Sequence, residues 1–147
     1  MANTVSRAMH DTGLAAWFGG TLANAVSLNP AAAEAGDASS AGRVANAGWD
    51  RWTPVNAGAI GIHLIGAVGQ LVGNRSRVAA QEGVGAMTVT KTALTAAALG
   101  ATAYSRVLGK KVSQHRDVPV ESGTTPASST PDDVATAQKQ LAMLQWL

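Results

Sequence analysis

Residues 52–74, WTPVNAGAIGIHLIGAVGQLVGN, are 23 uncharged positions between Arg51 and Arg75. About 20 mostly apolar residues in a helix cross the hydrocarbon core of a bilayer, so this run has the length of one membrane span. Positions seven apart in a helix share a face. Asn56, His63 and Gln70 therefore line up, with Ala59, Gly66 and Gly73 alongside, while Ile60, Leu64, Ile65, Val68, Leu71 and Val72 occupy the opposite side. Polar atoms facing lipid are costly. The polar side is thus expected to face protein, where Gly66, Gly69 and Gly73 let another backbone come close.

Upstream, TGLAAWFGGTLANAVSLNPAAA at 12–33 is a second uncharged run, between Asp11 and Glu34. Its faces divide in the same way: Gly13, Gly20 and Ser27 form a small column beside His10, Trp17 and Asn24, and Leu14, Phe18, Leu22 and Val26 form the bulky side. Downstream, Thr92–Ser105 is uncharged for 14 residues, and extending it back to Gly83 admits Lys91. Thr88, Thr95 and Thr102 share a face there, next to Lys91, Ala98 and Ser105. Threonine hydroxyls bond to carbonyls of the preceding turn; a lysine must snorkel or meet an anion.

These runs predict membrane helices over 12–31, 54–74 and 84–105, with a polar loop at 34–51 and a flexible Pro/Ser/Thr-rich linker at 106–130. Trp49 and Trp52 fall where interfacial aromatics anchor the second span. A fourth helix is expected from Pro131, with Thr130 as N-cap and Asp132 and Asp133 complementing the helix dipole. It becomes apolar only at LAMLQWL, without a stop signal, so either its end is buried against a partner or, the favoured reading, it is the front of a fourth span cut short. The expected architecture is one all-α domain over 1–147, an up-down transmembrane helical bundle.

Composition agrees with this picture. Ala (30) and Gly (16) make up nearly a third of the 147 residues, and charged residues only 14%, against about 25% in ordinary soluble domains. The mean hydropathy of +0.08 is low for membrane spans, because the apolar side chains are small. A net charge of +2 leaves no clustered footprint for nucleic acid. The absence of cysteine excludes thiolate catalysis and thiolate-bound metals.

No catalytic set emerges either. His10, His63 and His115 lack the close spacing of a metal motif, and the nine carboxylates lie outside the spans, so neither a metal nor another cofactor is expected. Gly109-Lys110-Lys111 resembles the end of a phosphate loop, but Tyr104 stands where its first glycine is needed. His10 and His63 occupy different depths in their expected spans, which argues against a shared haem.

GLAAWFGGTLANAVSLNPA following His10, then an interfacial Trp and a Gly-rich span containing His63, resembles the small four-helix integral membrane proteins of high-GC actinobacteria. The resemblance implies a four-helix membrane bundle and no activity. With the N-terminus outside, Arg43, Arg51, Arg106, Lys110, Lys111, Arg116 and Lys139 fall in the cytoplasm against Arg7, Arg75 and Arg77 outside, as the positive-inside rule favours.

The leading expectation is a non-enzymatic, multi-pass protein of the cell membrane. Its helices pack through small and polar faces at Gly13, Gly20, Ser27, Gly66, Gly69 and Gly73, with lipid, other membrane subunits or further copies as partners. The alternative is a proton- or small-solute-handling protein with a polar cavity formed by Asn24, Asn56, His63, Gln70, Lys91 and Thr95.

Overall fold

The computed structural model describes residues 2–115 and 118–147, so Arg116 of the orientation set lies outside the described residues. The described residues are helical without a sheet; one antiparallel bridge joins Val120 and Pro126. Helix α1 (Ala2–Ala23) runs on through a π-helical turn (Asn24–Leu28), the short helix α2 (Asn29–Ala31) and a 3-10 turn (Ala32–Glu34). There follow α3 (Ala38–Gly73), α4 (Arg75–Ala80), α5 (Glu82–Ser113) and α6 (Asp132–Leu144).

Several boundaries differ from expectation. The first helix begins ten residues before position 12 because Asp11 and Arg7 are tolerated on an exposed face. Its π turn precedes Pro30, whose ring excludes the carbonyl four residues back and whose nitrogen cannot donate; the amide of Asn29 instead reaches Asn24.

The expected loop at 34–51 is helical from Ala38. Asp37 starts that helix, accepting from the Ser40 amide at 2.8 Å and the Ser40 hydroxyl at 2.6 Å, which satisfies amides that a helix start leaves bare. At 36 residues, α3 is about 54 Å long and contains Pro54 in its interior.

The linker expected at 106–130 is helical to Ser113, and from Val118 on it is folded by backbone hydrogen bonds. Val120 is buried and its amide donates to the Ala38 carbonyl at 3.1 Å. Thr130 is not the cap of the last helix. Its hydroxyl donates to the Pro119 carbonyl and accepts from the Ala127 amide, and Pro131 takes the cap position. Asp132 and Asp133 occupy the first turn as expected.

The chain divides into two compact units, Met1–Gly19 with Pro54–Leu99 and Gly20–Thr53 with Gly100–Leu147. In the first, α1 and α3 run antiparallel: Gly13 meets Ala59 and His63, Ser6 and His10 meet Gly66, and Asn3 meets Gly73. In the second, Leu108 and Val112 of α5 pack on Val134 and Ala137 of α6, with Val118, Leu141 and Leu144 around them. That cluster is the compact apolar core of its unit. Arg106 donates to Asp50 at 3.3 Å and Lys111 pairs with Asp133 at 3.5 Å on its polar margin.

Among the described helices, only α3 is long and apolar enough by itself to cross a membrane, where three such helices were expected. In the helices built on 12–31 and 84–105, Gly, Thr, Asn and Lys91 dilute the apolar character below that level.

Candidate functional site

His63 lies at the centre of the seam between α1 and α3, 2% exposed. Its Nδ1 is 3.1 Å from the carbonyl oxygen of His10. A carbonyl only accepts, so Nδ1 carries the hydrogen and, in the neutral ring, Nε2 keeps the lone pair. The His10 ring lies 4.3 Å from that of His63, tilted by 40°, and Trp17 meets His63 edge-on at 5.9 Å. His10 Nδ1 is in turn 2.9 Å from an Asp11 carboxylate oxygen.

The two histidines therefore share one depth in this seam, correcting the unequal depths read from the sequence. The longer first helix, antiparallel to α3, brings position 10 beside 63.

Glycine makes this approach possible. A Cβ on Gly13 would fall 2.5 Å from the His63 nitrogen and 2.6 Å from the Ala59 carbonyl, and one on Gly66 would collide with the His10 backbone and the Ser6 carbonyl. Gly69 faces the Ser6 hydroxyl, and Gly73 has the Asn3 side chain at ordinary contact, 3.6 Å. Gly20, in the other unit, lies against the Trp52 indole. Ser27 is exposed.

The polar residues differ in their surroundings. Asn56 is half-buried with its Oδ1 buried and unbonded, and Asn24, in the other unit, has its Nδ2 in the same state. Gln70 and Thr95 are half-buried. The Gln70 carbonyl accepts from the Asn74 side chain at 2.8 Å. Lys91 is exposed on α5, whereas His63 is buried with its polar partner on α1. Thr88, Thr90 and Thr92 each donate to the carbonyl four residues back.

A polar node unmarked by periodicity lies in the second unit. Asn29 is 2% exposed; its Oδ1 accepts from Trp49 Nε1 at 2.9 Å and its Nδ2 donates to Gln145 Oε1 at 3.0 Å. Its backbone carbonyl accepts from the Gly123 amide at 3.2 Å. The side chain thus ties α3 and the end of α6 to α2, and the backbone carbonyl of the same residue adds the turn at 122–125. The sequence signal was an Asn directly before Pro30, a pattern too common to single out.

No three His, Asp or Glu side chains among the described residues come together as a metal site needs. Compared with protein-family models, curated proteins and solved structures, the chain matches none.

Proposed function

We propose that the chain is a multi-pass protein of the cell membrane with a structural or accessory role, anchored by α3 with α1 and α5 crossing beside it. The supporting observation is the exposure of α3: only 17% of its most apolar 18-residue stretch is buried, whereas a core helix of a water-soluble domain would be mostly covered. Val55, Ile62, Ile65, Val68, Leu71 and Val72 all remain exposed. On α1 and the turn after it, Leu14, Phe18, Leu22 and Val26 are exposed as the bulky face predicts, and on α5 so are Met87, Val89 and Leu94. Apolar side chains exposed along a helix face are what a bilayer would cover, whereas soluble monomers rarely leave large apolar patches bare.

The tight glycine seam supports the structural role, since small residues that bring backbones together are the usual means of helix association in lipid. The resemblance to small four-helix actinobacterial membrane proteins fits the same reading. The test is fractionation of the expressed chain: it should resist extraction by alkaline carbonate and dissolve only in detergent. Recovery as a monomer at high concentration in detergent-free buffer would overturn the proposal.

A further inference from the structure

In the unit formed by Gly20–Thr53 and Gly100–Leu147, an open groove of about 380 Å³ lies between the turn at α2 and the end of α6. That volume is within the range of small-molecule sites, roughly 300–1,000 Å³. No ionisable side chain lines it, so it offers nothing to hold a charged ligand. One wall is apolar, from Ala25, Pro30 and Ala33; the other carries Thr124, Thr125 and Gln145. Trp146 forms a lip and is 63% exposed.

The polar wall is set in advance. Asn29, held by Trp49, donates to Gln145 Oε1, so the Gln145 amide is fixed with its Nε2 hydrogens left to donate. Ser122 Oγ donates to Thr125 Oγ1 at 2.9 Å, which leaves the Thr125 hydroxyl hydrogen free for a further acceptor. The complement is a neutral molecule with an apolar face and a rim of hydroxyl oxygens. A pyranose ring has that form: its axial C–H face is attracted to the negative face of an indole, and its hydroxyls take the amide and hydroxyl donors.

We propose that this groove binds the neutral pyranose unit of a saccharide or of a glycolipid head group, stacked on Trp146 and hydrogen-bonded by Gln145 and Thr125. The proposal is independent of membrane insertion. The full chain in a detergent without sugar is titrated with maltose and the methyl glycosides of glucose, galactose and mannose, followed by saturation-transfer NMR. Phosphatidylcholine nanodiscs with and without glucosyl-diacylglycerol form the second arm.

Saturation transfer to a free sugar identifies a soluble ligand. Selective retention of the glycolipid without transfer to the free sugars identifies the head group. In either case Trp146→Ala and Thr125→Val should each weaken binding about tenfold or more, at unchanged helical circular dichroism, while Ser128→Ala leaves it unaltered. Absence of binding in both arms, or binding that survives both substitutions, overturns the proposal.

Discussion

The backbone of His10 occupies the space that a side chain at Gly66 would need. Gly13 has the same relation to Ala59 and His63 one step along the seam. Two glycines on opposite helices thus set the closest approach of α1 and α3, and the approach puts His63 Nδ1 within reach of the His10 carbonyl. Packing and polar satisfaction are here one geometric event.

Gly66→Ala should therefore destabilise the protein, by about 1–3 kcal/mol as overpacking usually does, and Gly66→Leu should separate the helices. Gly58→Ala and Gly61→Ala, in the same helix with nothing within 4 Å of the added carbon, should be neutral or stabilising by up to about 1 kcal/mol. Thermal melts of the four variants in one detergent check this. Equal gains from alanine at positions 58 and 66 would show that helix propensity, not the seam, controls stability.

At the seam's centre, His63→Gln keeps an N–H donor and should cost no more than about 1 kcal/mol. His63→Ala leaves a void against His10 and Trp17 and should cost about 2–4 kcal/mol. A His63→Gln protein that melts and assembles like the wild type but loses a cellular phenotype would reassign His63 from packing to chemistry.

The division of faces was legible because heptad spacing is a property of the helix itself. Gly13, Gly66 and Gly69 lie in close contact with the facing helix. The pairing of His10 with His63 was hidden because Arg7 and Asp11 made the first helix look shorter than it is. The helical start at Ala38 was obscured by Ser39, Ser40 and Gly42, although Asp37 was its cap. Asn29, Gln145 and Trp146 are brought together by the turn at 122–125, and no periodicity links residues more than a hundred positions apart. Lys91 shared a helical face with Thr88 and Thr95 in projection, yet its long stem leaves it exposed.

Asn29→Ala should loosen the second unit more than any single exposed substitution in it. The change leaves Trp49 Nε1 and the Gln145 amide without their present partner, and unmade buried bonds cost about 1–3 kcal/mol each. Hydrogen exchange should accelerate around Trp49 and at the end of α6, with little change at 59–73, while the Gly123 amide keeps its acceptor, the backbone carbonyl of residue 29. Uniform acceleration through both units would mean that Asn29 is not a local tie.

The final prediction concerns Asp37 and pH. The Ser40 hydroxyl, then the Ser40 amide, hold its carboxyl below the ordinary aspartate value against an opposing desolvation, with smaller help from the Ser39 amide and the Arg43 charge. A carboxyl depressed on folding contributes stability that is fully present above its unfolded pKa, about 3.9, and is lost as pH falls through its lower folded value. Asp37→Ala should therefore melt below the wild type by a constant margin from about pH 5 to pH 8, and the margin should close as pH falls below about 3.9. Asp37→Asn, which keeps a capping oxygen but cannot ionise, should show a smaller margin over the same range. If the Asp37→Ala gap instead persisted undiminished in strong acid, the carboxylate charge would have no part in starting α3, and the cap would act through its geometry alone.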